Sequence, residues 1–396
     1  MKSIKKDFTL FQDQSIIYLD SASTSQKPQA VIDAIVASYT SSNANPGRGI
    51  YDLAERASAD YQKARATVAQ FIGAQPDETI FVRGGATEGL NLIAHGMQDQ
   101  LFAGDEILLS QLEHHANLVP WQRVAQKIGA QIKFIPINSD GSLNYNTLDS
   151  LISKRVKIVS ITQSSNAIGT SVDLARVVKA AKSVGALVAV DASQSAAHQR
   201  IDVAKMGCDF LAFSGHKMLG PTGIGVLYIK RSVARNFPPL LLGGGCVLEV
   251  DWQSHTLRTS PDKFEAGSPS LAQAVGLAAA IDYLAKNVDF KELRAKEAAL
   301  CAQLIKGLKK HKRVTILGPI DDLMANGHLV SFVVDGIHAH DVAAFLASRG
   351  ICVRAGHFCA QPLMRKLGHR AAVRVSFYLY NDENDVQKLL EAIDSL

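Results

Sequence analysis

The chain has no apolar run near the ~18 residues that a membrane span needs, and Met1 to Asp7 is not followed by the apolar core of a secretory leader. A cytoplasmic protein without a membrane partner is expected. Its five cysteines show neither framework spacing nor C-x-x-C, which excludes a disulfide scaffold, gives no zinc or cluster site, and suits a reducing compartment. No basic cluster stands out among 42 Lys and Arg against 37 Asp and Glu, and net +5 over this length is mild, so no nucleic-acid partner is expected. Two nucleotide signatures are also missing: there is no Gly-Lys-Ser/Thr, and no G-x-G-x-x-G opens a first strand-helix-strand unit. Internal repeats and low-complexity tracts are absent as well.

What remains is ordinary globular material, 47% hydrophobic with mean hydropathy +0.06. At 396 residues the chain exceeds the ~250 to 300 at which a single core stops growing, so two domains are expected. Strand and helix patterns alternate from about Ile17 to Leu242, the mark of an α/β domain with a mostly parallel sheet and crossover helices. A helical stretch from Ser270 to Lys310 then leads to strand patterns near Val314, Val330 and Ile351 and helices from His340 and Asp382. This predicts a large domain over 16–286 and a smaller α+β domain over 287–396, divided near Asn287-Val288-Asp289, with residues 1–15 packing against the smaller one.

The most informative residue is Lys217, in Ser214-Gly215-His216-Lys217 after the apolar run Asp209 to Phe213. A lysine amine condenses with the aldehyde of pyridoxal phosphate, and the small polar residues beside it supply room and donors for a phosphate. On its own the motif also reads as a basic turn after a buried strand. Asp191 favours the first reading. It ends the apolar run Ala186 to Val190, of the kind a strand buried on both faces shows, and precedes Lys217 by a distance that fits a crossover to a neighbouring strand, placing both on one rim. A carboxylate there would hold a pyridine nitrogen protonated and so improve the ring as an electron sink; the plainer reading is a cap on the next helix. Gly84-Gly85-Ala86-Thr87-Glu88 follows the strand-like Thr79 to Val82 and opens a helix pattern. Glycine permits close approach of an anion, free amides point at it, and the Thr87 hydroxyl adds a donor. Such turns also serve as turns alone.

With these residues in place the chain resembles the class V aminotransferase group of fold-type I pyridoxal phosphate enzymes, and within it the cysteine desulfurases of the Suf type. The resemblance spans nearly the whole chain and rests on Glu113-His114-His115-Ala116-Asn117, Ser165-Asn166, Asp191 to Gln194, Ser214 to Lys217, Phe264-Glu265-Ala266-Gly267 and Arg354 to Ala360. It implies that His114 stacks on the cofactor ring and takes part in proton transfer, and that Asn166 and Gln194 donate to the ring oxygen. Phosphate contacts come from the Ala86 amide, Thr87, Ser214 and His216, with Ser268 reaching across from a second subunit. That last contact implies a homodimer.

Desulfuration needs a thiolate at neutral pH, and Cys359 is the candidate because Arg354 and His357 are close in sequence and Gly356 gives the segment freedom to swing. Cys208, Cys246, Cys301 and Cys352 read as small core hydrophobes. Arg374 would clamp the carboxylate of L-cysteine through a bidentate fork, helped by Asn166 and Arg354. The resemblance further implies Lys217 as base, a persulfide on Cys359, alanine as product, and a Suf-type acceptor protein that carries the sulfur toward iron-sulfur cluster assembly. A short Cys359 segment implies low activity without that partner. Three departures stand out: Gly47 replaces a usual histidine before Arg48, Phe358 replaces a polar residue before Cys359, and Ala86 costs the phosphate loop one hydroxyl. A selenocysteine lyase or another enzyme of the same fold, such as an aminotransferase, is the alternative, and a catalytically silent scaffold is the reading from a different class.

Overall fold

A computed structural model describes residues 4–12, 15–47 and 49–396; residues 1–3, 13–14 and Arg48 lie outside the described residues. Its main sheet has seven strands in the spatial order Thr79–Val82, Gly225–Ile229, Phe210–Ser214, Leu187–Asp191, Val156–Thr162, Glu106–Ser110, Gln131–Ile135. Gly225–Ile229 runs antiparallel to both neighbours and the other pairings are parallel. The continuous apolar runs follow from cover on both faces. Along Leu187–Asp191, Val188 and Val190 pack with Leu211 and Phe213 on one side, while Ala189 packs with Phe210 and Ala212 on the other.

Helices return the chain between strands, and polar residues set their ends. Asp173 accepts from the Arg176 N–H at 3.1 Å to start Leu174–Ser183. Gly73, with φ +69, closes the long helix Asp52–Ile72 in the left-handed conformation that glycine adopts without strain. The predicted helical stretch after Ser270 is two helices, Leu271–Asn287 and Phe290–Leu308, separated at Asp289, whose carboxylate caps the second.

The second sheet is antiparallel, in the order Val314–Leu317, Leu329–Val334, Ala372–Ser376, Arg354–Gly356. One expectation changes here. The strand pattern at Ile17 does not open the large sheet: Ile17–Tyr18 pairs in parallel with Ile351–Cys352, and Asp20 bridges to Ser376. Tertiary pairing decides the place of a strand this short, and no periodicity records it. Phe8 and Phe11, from the first turns, pack their rings against Tyr380, and Phe8 also meets Tyr283. No helix among the described residues is long and apolar enough to cross a membrane.

Candidate active site

Asp191 and Ala212 are register partners on adjacent parallel strands, so the carboxylate and the chain leading to Lys217 reach the same carboxyl-end rim. There the sheet meets a cavity of about 380 Å³. Lys217 ends the short 3-10 turn Gly215–Lys217 that follows strand Phe210–Ser214. Burial drives its pKa down to about 8, against the pull of the Asp191 carboxylate and together with repulsion from Arg374. A lysine so placed is a neutral nucleophile for a large part of the time at mildly alkaline pH, which ordinary surface lysines are not.

The phosphate-sized end of the cavity forms where two turns touch. Gly85 has φ +65, and a Cβ added there would stand 2.6 Å from Ser214 Oγ, so only glycine lets the turn approach so closely. The Ala86 N–H donates to Ser214 Oγ at 2.9 Å, and Thr87 and His216 line the same end. The Ala86 amide sits at the start of helix Gly85–Met97, where N–H groups without partners inside the helix favour an anion. Burial and the nearby cations of Lys217 and Lys27 bring His216 down to about 4.

His114 begins a 3-10 turn, and its Nδ1 accepts from the Ala116 N–H at 3.0 Å. Burial, with Lys217 as the next cause, lowers its pKa to about 4, so the ring is neutral and its proton is on Nε2. His115 turns elsewhere. Its N–H donates to Cys359 O at 2.7 Å, and its Nε2 accepts from the Gln361 N–H at 3.1 Å. Asn166 and Gln194 line the cavity, yet both amides are engaged, Asn166 Nδ2 to Phe358 O at 2.6 Å and Gln194 Nε2 to Ala22 O at 3.0 Å.

Arg374, in the strand Ala372–Ser376, is only 3% exposed. Its Nη1 donates to Asn166 O at 2.7 Å and its Nη2 to Ser23 Oγ at 2.7 Å, with Asp20 Oδ1 at 3.3 Å. Burial lowers it to about 10, opposed by Asp20, so it stays cationic at neutral pH. Arg354 reaches the same carboxylate, its Nη2 donating to Asp20 Oδ2 at 2.6 Å and its Nε to Ser23 Oγ at 3.0 Å. Sequence reasoning passed over Asp20 and Ser23. The signal was present: Asp20, like Asp191, is a carboxylate at the end of an apolar run, followed by small residues.

Cys359 is exposed, whereas Cys208, Cys246 and Cys301 are buried and Cys352 is half-buried. The thiol lines the cavity with Lys217, Arg374 and Arg354, and its own N–H donates to His357 Nδ1 at 3.1 Å. Of the residues selected from sequence, all but Ser268 converge on this cavity. Ser268 lines a separate cavity with Gly47, Tyr61 and Gly267, so the same chain does not bring it to Lys217.

These features define an enzyme-like pocket on a fold that known proteins share. Residues 17–389 match the family model described as aminotransferase class-V, and the chain belongs to that family. It is 42% identical to a probable cysteine desulfurase from Streptomyces coelicolor, the match covering 99% of this chain and 96% of that one. Among solved structures, a cysteine desulfurase from Thermococcus onnurineus superposes with TM-score 0.95 at 39% identity, covering 99% of this chain and 96% of its own. The cysteine desulfurase CsdA from Escherichia coli gives 0.91 at 38% identity, with the same coverage of both chains.

Proposed function

We propose that the protein is a pyridoxal phosphate-dependent cysteine desulfurase that converts L-cysteine to L-alanine and leaves a persulfide on Cys359. The observation that carries this reading is the exposed Cys359 thiol opening onto the same cavity as the buried, depressed-pKa Lys217. The donor set fits the cofactor: the glycine-permitted approach of Gly85 to Ser214, the Ala86 amide, Thr87 and His216 suit its phosphate, Asp191 its ring nitrogen, His114 its ring face, and Asn166 and Gln194 its ring oxygen. Pyridoxal phosphate supplies an aldehyde for amines and a sink for the electrons released at the amino acid's Cα.

The chain's own groups account for the rest. Arg374 holds the substrate carboxylate, with Asn166 and Arg354 beside it. Lys217, neutral near its pKa of about 8, takes the Cα proton. Cys359 thiolate attacks the substrate sulfur, so an S–S bond forms as the C–S bond breaks; that electron pair stays with carbon, which is protonated to give alanine. His114, with its proton on Nε2, is placed to donate. The persulfide then passes to an acceptor protein of the Suf type for iron-sulfur cluster assembly in the cytoplasm.

The working form is a homodimer, in which Ser268 completes a phosphate site in the opposite subunit. Supporting this, Gly47 and Ser268 share one cavity that Lys217 does not line, and the hairpin Val247–Val250 with His255–Leu257 carries exposed Leu248, Val250 and a fully exposed Trp252. The division into 16–286 and 287–396 is proposed on the separation of the seven-stranded and four-stranded sheets in sequence, with Ile17–Tyr18 and Asp20 crossing it to pair with the smaller part. Release of sulfide and alanine in equal amounts from L-cysteine with a reductant tests the reading, because a transaminase releases neither together.

A further inference from the structure

Phe358, one of the three departures from the family pattern, does more than leave out a polar neighbour. Phe358 and Cys359 have φ of +55 and +53, a left-handed conformation that strains non-glycine residues. Contacts must hold such a segment. Asn166 Nδ2 donates to Phe358 O at 2.6 Å, and the Arg374 guanidinium carbon lies 5.0 Å from the centre of the Phe358 ring, over its electron-rich face. Phe358 is only 8% exposed while Cys359 beside it is exposed. Asn166 and Arg374 are also the groups assigned above to the substrate's carboxylate. Arg374 Nε is buried without a hydrogen-bond partner, a donor left over for an anion.

An arriving carboxylate therefore competes with Phe358 twice. It draws the Asn166 amide from Phe358 O, and it neutralises the guanidinium charge that the ring face attracts while setting an anion near that same negative face. We propose that Phe358 is a positioning residue that latches the Cys359 segment to the carboxylate-binding pair, so that an amino acid's carboxylate loosens the segment and frees the thiol to move. The inference rests on the desulfurase reading and adds to it a coupling between substrate recognition and thiol delivery. The contacts from His115 to Cys359 O and Gln361 lie outside the competition and keep the segment anchored at its far side.

The test is alkylation of Cys359 by iodoacetamide in the cofactor-loaded enzyme, followed by mass spectrometry of the Cys359 peptide, with the buried Cys208, Cys246 and Cys301 as internal references. L-Alanine, which carries a carboxylate but no sulfur, is expected to raise the rate roughly fivefold, the scale of one lost cation–π contact and one hydrogen bond. Ethylamine, without the carboxylate, leaves it unchanged. In Phe358→Leu the rate without ligand is already high and alanine adds nothing, whereas Phe358→Tyr keeps the ring and the response; cofactor absorbance shows that each variant is folded. Wild-type alkylation that ignores alanine or slows with it overturns the latch, as does Phe358→Leu responding like wild type. Sulfide release from L-cysteine, assayed on the same wild-type preparation, reports on the desulfurase reading separately.

Discussion

Lys217 titrates near 8 because burial penalises its ammonium more than the Asp191 carboxylate restores it. The consequence is a pH dependence of a stated sign. Only the neutral amine condenses with an aldehyde, so uptake of pyridoxal phosphate by cofactor-free protein should speed up roughly tenfold between pH 7 and pH 9 and level off above. A rate still climbing steeply above pH 9, as an unshifted lysine requires, would refute the shift. At Gly85 the prediction concerns shape. Gly85→Ala meets both a positive φ and Ser214 Oγ at 2.6 Å, and should cost about 1 to 3 kcal/mol in urea unfolding and weaken cofactor retention. Lys217, Asp191 and Cys359 were legible because each sits at the end of a run or within a motif whose chemistry is local. Asn166 and Gln194 owed their selection to family resemblance, since an amide in a turn carries no periodic signal. Asp20 was passed over because its partners, Arg354 and Arg374, are more than 300 residues away in sequence.

Between elements, one tie at the sheet edge is the largely buried pair Arg65 and Glu265. Arg65 Nη1 donates to Oε1 at 2.6 Å and Nη2 to Oε2 at 2.9 Å, while the Phe81 N–H and Tyr61 hydroxyl donate to the same carboxylate at 2.6 and 2.8 Å. One side chain thus joins helix Asp52–Ile72, strand Thr79–Val82 and the segment leading to Ser268. Arg65→Ala leaves the largely buried Glu265 with its charge unpaired and is expected to lower stability by about 3 kcal/mol, read from urea midpoints at constant m. A loss under 1 kcal/mol would mean that water reaches the carboxylate. Strands such as Leu187–Asp191 were readable from their apolar runs. Ile17–Tyr18 was misplaced because two residues carry no pattern strong enough to name a partner, and the antiparallel course of Gly225–Ile229 depends on connection geometry that residue types do not encode.

For the whole molecule, the two-sheet architecture followed from the switch between alternating strand-helix patterns and the long helical stretch after Ser270. Which residues would face a second subunit did not. Ser268 and Gly47 lie in a cavity that neither Lys217 nor Asp191 lines, and Trp252, in the exposed hairpin, is covered by nothing among the described residues. Light scattering on the purified protein should give twice the 42.6 kDa chain mass, and Trp252→Asp should shift the population toward monomer with loss of cofactor. A monomer that retains pyridoxal phosphate would remove Ser268 from the site.

The most direct measurement is sulfide and alanine release from L-cysteine by wild type, Lys217→Ala and Cys359→Ala, with each protein's visible cofactor absorbance recorded beforehand. The account predicts a yellow wild type that yields the two products in equal amounts, a yellow but inactive Cys359→Ala, and a Lys217→Ala without the lysine-bound absorbance. Sulfide release that survives in Cys359→Ala would contradict the persulfide and point to a lyase.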